Sequence, residues 1–171
     1  MHARARGALP VARSDDQPTN TNSALILLVE DDTSTRESLC EILEHEGYSV
    51  LAAENGKRAL ECVETAATTP VLILLDLAMP VMDGFGFVSQ IPDCAKLASV
   101  PVIVMSADSR ASQLRLQRPE NVKEILSKPV DLRLMMELVG RYAQRSQTVA
   151  RSHAKPQQGS RSVGTNPSNL R

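Results

Sequence analysis

The residues Val71-Leu72-Ile73-Leu74-Leu75-Asp76 constrain the fold of this chain more than any other stretch. Five consecutive apolar residues, rich in branched side chains, read as a short strand buried on both faces. An acid follows at once, then Pro80 and the turn signal Asp83-Gly84. A buried strand that ends in an acid puts that acid at the carboxyl edge of a sheet, where open α/β folds bind ligands. Asp76 alone could equally be a strand or turn cap; the rest of the chain weighs between the two.

The pattern recurs. Residues 24–29 form a second fully apolar run, followed by Glu30, Asp31 and Asp32. Ser34 and Glu37 have the spacing of a capping box. Leu39, Ile42 and Leu43 then fit a helix of about three turns, closed at Glu46-Gly47. Residues 48–53 read as a strand, Asn55-Gly56 as a turn, and Leu60 and Val63 as the buried face of a second helix. Residues 84–91 read as a short helix capped by Asp83 and broken by Pro92 and Asp93. Residues 100–105 make a fourth strand ending in Ser106, and 111–116 a weakly helical stretch stopped by Pro119. Residues 122–126 make a fifth strand running into Ser127-Lys128-Pro129. Leu132, Leu134, Met135, Leu138 and Val139 form the apolar face of a last helix, to about Tyr142.

Five βα repeats with short connections predict an α/β fold: a doubly wound five-stranded parallel sheet with helices on both faces. The folded domain is expected over residues 24–143, between disordered tails at 1–23 and 144–171. From Arg141 onward the chain carries six Lys or Arg and no acid, so the second tail reads as a solvated basic segment, or as a weak docking arm. The core must come from aliphatic residues, because only 2% of the chain is aromatic. A net charge of −1 does not fit binding to nucleic acid through overall charge. Cys40, Cys62 and Cys94 have no paired spacing and read as free thiols in a cytoplasmic protein. No apolar run approaches the ~18 residues of a membrane span.

The predicted strand ends share one chemistry. Glu30 and Asp31 follow strand one, Asp76 ends strand three, Ser106 strand four, and Lys128 strand five. In a parallel sheet all emerge on one edge. Three carboxylates ~5 Å apart repel by about 3 kcal/mol per pair at an effective dielectric near 20. A cation relieves this, and an all-oxygen donor set points to a hard ion such as Mg²⁺. Lys128 adds a compact positive charge. Such a site suits phosphoryl transfer, with Asp76 as nucleophile, and with Lys128, Ser106 and the cation contacting phosphoryl oxygens.

These motifs resemble the receiver domain of bacterial two-component response regulators. The resemblance rests on Leu27-Leu28-Val29-Glu30-Asp31-Asp32, Leu75-Asp76-x-x-Met79-Pro80-x-Met82-Asp83-Gly84, Pro101-Val102-Ile103-Val104-Met105-Ser106-Ala107 and Ser127-Lys128-Pro129. It implies a flavodoxin-like domain and a stand-alone regulator of the chemotaxis kind. Asp76 would accept phosphate from a histidine kinase or a histidine phosphotransfer protein. Glu30, Asp31 and Asp76 would hold Mg²⁺, helped by the Ala78 carbonyl. Ser106 matches the switch hydroxyl and Lys128 the family's lysine, followed by a cis bond to Pro129. Ala78 and Asp108 match positions that tune the lifetime of the phosphorylated state. Two features depart from the family: Ile125 stands where an aromatic or His is usual, and Pro119 interrupts the run before the last strand.

Three rivals remain open at this level. A haloacid-dehalogenase-type phosphatase also uses a strand-end Asp, but resembles Asp-x-Asp where this chain has Ala78. A receiver-like module could signal without phosphorylation. The chain could also be the receiver of a hybrid histidine kinase. The expectation is a regulator that is not itself an enzyme and lacks a DNA-binding module. Its output would pass through an unidentified downstream protein.

Overall fold

The computed structural model describes residues 24–107, 111, 114 and 119–153. The expected tail at 1–23, Asp108 and most of the stretch at 111–116 lie outside the described residues, although Ala111 and Leu114 are themselves helical. The elements are β1 (Leu25–Val29), α1 (Thr33–His45), β2 (Ser49–Ala53), α2 (Gly56–Thr65), β3 (Leu72–Asp76) and α3 (Gly84–Gln90) with a 3₁₀ turn at Ile91–Asp93. They continue with β4 (Val102–Ser106), β5 (Val122–Ser127) and α4 (Leu132–His153). The strands form one parallel sheet in the order β2-β1-β3-β4-β5.

The fully apolar runs became the central strands. The last four residues of β1 and all of β3 and β4 are buried, whereas the edge strands β2 and β5 are mostly part-exposed. Alternate side chains leave the sheet in opposite directions, as the period of two requires. Leu27, Val29, Ile73, Leu75, Val102 and Val104 pack with Ala59 and Val63 of α2 and Phe87 of α3. Ile26, Leu28, Leu72, Leu74, Ile103 and Met105 pack with Leu43 of α1 and Met135 and Val139 of α4. The result is three layers: among the described elements, α2 and α3 cover one face of the sheet and α1 and α4 the other.

The strand order reverses between β1 and β3. Loops from these two strands run in opposite directions, which opens a crevice above their carboxyl ends. Register decides what stands there. Val29 pairs with Leu75, Asp76 with Met105 and Ser106 with Ser127. Glu30, Asp76, Ser106 and Lys128 therefore leave the sheet as neighbours on one edge.

Three local expectations change. The N-cap of α1 is Asp32, whose Oδ1 accepts a hydrogen bond from Thr35 N at 2.8 Å, so the helix starts two residues before the expected Ser34 box. An aspartate serves as well as serine there, and its charge suits the positive end of the helix. Asn55 and Gly56 are not a free turn: Asn55 caps α2 through Arg58 N at 2.9 Å, and Gly56 is its first residue. Finally, α4 continues past Tyr142 to His153. Ten residues of the segment expected as a tail are therefore helical. Helical hydrogen bonds are local, so the backbone helix can run on past the apolar stripe that the sequence shows ending near Tyr142; residues 154–171 lie outside the described residues.

The closure of α1 is as expected. Gly47 has φ +87°, its N–H donates to Glu44 O at 2.9 Å, and Tyr48 N donates to Leu43 O at 3.1 Å. This paired capping pattern requires the left-handed conformation that glycine adopts at little cost.

Candidate functional site

Each acid in the crevice is delivered by the end of a strand. Glu30 directly follows β1, anchored by its N–H to Ala53 O at 3.1 Å. Asp76 is the last residue of β3 and is 4% exposed, and Glu30 is 1% exposed. Asp31 faces more solvent. Carboxylate oxygens of Glu30, Asp31 and Asp76 lie within 4.8 Å of one another. At that separation each pair of charges repels by about 3 kcal/mol at an effective dielectric near 20.

Lys128, just past β5, bridges the two buried acids. Its Nζ donates to Glu30 Oε2 at 2.9 Å and Oε1 at 3.3 Å, and to Asp76 Oδ2 at 2.7 Å. The other oxygen of Asp76, Oδ1, accepts from Ala78 N at 3.1 Å. Burial pushes Glu30 above the usual carboxylate range, against the hydrogen bond and charge of Lys128. Burial pulls Lys128 down, but its hydrogen bonds and charge pairing with Asp76 and Glu30 outweigh this and hold the ammonium above its ordinary value.

Four of the five expected side chains thus meet: Glu30, Asp31, Asp76 and Lys128. Ser106 is buried at the end of β4 on the same edge, and its carbonyl accepts from Lys128 N at 3.0 Å. The Lys128-Pro129 bond is cis, as expected. Ile125 packs half-buried against the core layer that contains Ala111 and Leu114, so an aliphatic residue fills the aromatic position. Asp32, adjacent in sequence to the cluster, caps α1.

Sequence reasoning missed Arg36. Its Nη1 donates to the carbonyls of Glu30 at 2.8 Å and Asp31 at 3.1 Å, and its Nη2 to Thr33 Oγ1 at 3.3 Å. Its place one turn inside a helix that begins beside the acids was the signal available, because helical side chains lean toward the N-terminus.

An open groove of about 470 Å³ runs between α1 and the start of α4. Ser34, Leu39, Met105 and Val130 line it, and it reaches Glu30 and Lys128. The donor set of the cluster is oxygen only, which fits a hard divalent cation and not a soft or redox metal. Chemically, the crevice offers carboxylates with a paired ammonium, at one end of a groove that reaches Glu30 and Lys128.

Comparison with known proteins follows the same lines. A profile of the response regulator receiver domain matches residues 26–140. A 14.6 kDa protein in the sodA1 3′ region of Leptolyngbya boryana is 36% identical over 117 residues, covering 68% of this chain and 88% of its own length. The two-component response regulator ORR3 of Oryza sativa subsp. indica is 30% identical over 105 residues, covering 61% and 79%. Among solved structures, Vibrio cholerae chemotaxis protein CheY4 superposes with a TM-score of 0.63 at 25% identity, covering 70% of this chain and 98% of that one.

Proposed function

We propose that this chain, which belongs to the response regulator receiver domain family, is a phosphoryl-accepting switch with Asp76 as the acceptor. The observation that carries the reading is the convergence of Glu30, Asp31, Asp76 and Lys128, contributed by three separate strands, on one crevice at the switch point of the sheet.

The residues divide the work. Glu30, Asp31 and Asp76 would hold Mg²⁺, whose charge offsets the repulsion between the acceptor carboxylate and an incoming phosphoryl group. A carboxylate oxygen of Asp76 attacks the phosphorus of a phosphohistidine. The O–P bond forms as the P–N bond breaks, and the departing imidazole takes a proton from solvent. Lys128, already 2.7 Å from Asp76, neutralises a phosphoryl oxygen. The Ser106 hydroxyl donates a hydrogen bond to another. The donor is a histidine kinase or a histidine phosphotransfer protein, which approaches along the groove between α1 and α4. Output passes through a downstream protein in the cytoplasm. Moving a two-state domain from 1:99 to 99:1 requires about 5.5 kcal/mol of differential stabilisation, which the phosphate contacts of Ser106 and Lys128 must supply.

The test is incubation with acetyl phosphate and Mg²⁺, read by intact mass. The wild type gains one phosphoryl group, and Asp76→Asn gains none. No gain in the wild type favours a module that signals without phosphorylation, and equal gain in the variant moves the acceptor elsewhere.

A further inference from the structure

We propose that Arg36 is a positioning residue for the cation site, setting the backbone of the β1–α1 connection so that the Glu30 and Asp31 carboxylates converge on Asp76. The inference rests on the reading of these three acids as a Mg²⁺ site.

The geometry is specific. One guanidinium nitrogen is shared by two consecutive carbonyl oxygens, Glu30 O at 2.8 Å and Asp31 O at 3.1 Å, while the other nitrogen holds Thr33 Oγ1 at 3.3 Å. The peptide planes of the two residues that carry the acids are thus tied to the first turn of α1. That turn is itself capped by Asp32, and the helix that continues from it packs on the sheet through Leu39 and Leu43. A planar fork of donors on a rigid helix fits this task, whereas a lysine offers a single point of attachment.

The choice of partners matters as much as their number. Arg36 binds carbonyls and a hydroxyl, not the neighbouring carboxylates. Its charge lies beside the acids without occupying their oxygens, unlike Lys128, which holds oxygens of both Glu30 and Asp76. The acids remain available as ligands while the loop that carries them is held.

This reading makes a prediction of sign. Coulomb's law alone says that removing a cation beside a Mg²⁺ site tightens Mg²⁺ binding. A positioning role says the opposite: Arg36→Met weakens it. Loss of a group that orients metal ligands typically lowers affinity about 10- to 100-fold, and a loss of about tenfold is expected here. Arg36→Lys keeps the charge but not the fork, and should lose part of the affinity.

The experiment is titration of the full chain with Mg²⁺ alone, followed by amide NMR shifts of residues 76–78. It is run on wild type, Arg36→Met and Arg36→Lys, well below each melting temperature measured in EDTA. Weaker binding in Arg36→Met with a preserved spectrum elsewhere supports the proposal. Equal or tighter binding overturns it, since a residue that only stabilised α1 would lower the melting temperature and leave Mg²⁺ affinity alone. If Arg36→Met does not fold, Arg36→Lys decides: intermediate affinity supports positioning, and wild-type affinity overturns it. A wild type that shows no Mg²⁺ response removes the Mg²⁺ site itself, an outcome distinct from failure of the Arg36 assignment alone.

Discussion

Lys128 stands between two buried carboxylates, 2.9 Å from Glu30 and 2.7 Å from Asp76, with about a quarter of its side chain exposed. With no metal bound, it is the closest positive charge those acids have. Replacing it by methionine leaves like charges facing each other in a poorly solvated crevice. The expected loss of stability in EDTA is about 3 kcal/mol at pH 7. The sign of the pH dependence follows from Glu30, whose folded value already lies above the usual range. A raised group contributes stability below its unfolded value, near pH 4.5, and loses it as the pH rises through the folded value. Removing the ammonium raises Glu30 further. The gap in urea midpoint between wild type and Lys128→Met should therefore narrow from pH 8 to pH 5. A gap that stays constant would mean that the ammonium acts through packing and not through charge.

At the scale of elements, the β3–α3 connection carries the tightest constraint. It must leave the sheet at Asp76, turn, and start α3 within eight residues. Gly84 makes this possible. A Cβ built there would stand 2.5 Å from Asp76 O and 2.7 Å from Leu77 Cα, both backbone atoms that no rotamer can move. Gly84 N also donates to Leu77 O at 3.0 Å. Gly84→Ala should cost about 2–3 kcal/mol, the usual range for overpacking a filled site. Because the clash falls on Asp76 itself, the variant should also accept phosphate from acetyl phosphate more slowly. Urea unfolding and the initial rate of mass gain measure the two effects, and a fully active, destabilised variant would show that the backbone shift spares the carboxylate. The same connection holds Val81 at φ +68° in a turn closed by Met82 N to Pro80 O at 2.8 Å, an unusual conformation for a β-branched residue.

For the molecule as a whole, a cation held by Glu30, Asp31 and Asp76 would be linked to the fold. A ligand that binds only the folded state adds RT ln(1 + [L]/Kd), about 2.7 kcal/mol at a hundredfold excess over Kd. Saturating Mg²⁺ should raise the melting temperature by several degrees over EDTA. The shift should shrink in Asp76→Asn, where the cluster loses one charge. An equal shift in both proteins would place the ion outside this crevice. The groove between α1 and α4 reaches the crevice at Glu30 and Lys128. Among the described residues no helix is long and apolar enough to cross a membrane.

The linear chain was enough to specify the layered α/β architecture, because burial on both faces writes itself as an unbroken apolar run and each strand-end acid as the break that closes it. The apolar runs at residues 71–75 and 24–29 could be read without any neighbour. The acids, Ser106 and Lys128 were also legible as a group, since parallel strands bring equivalent ends to one edge. Three things were decided only in three dimensions. Asp32, already outside the expected acidic set, took the cap of α1 in place of Ser34, Arg36 reached back to the carbonyls of Glu30 and Asp31, and α4 ran beyond its apolar face. Apolar periodicity records which side of an element is buried, but carries no information on where a polar side chain finds its partner. That choice depends on register, on loop path and on contacts such as Lys128 to Glu30, 98 positions apart in the chain.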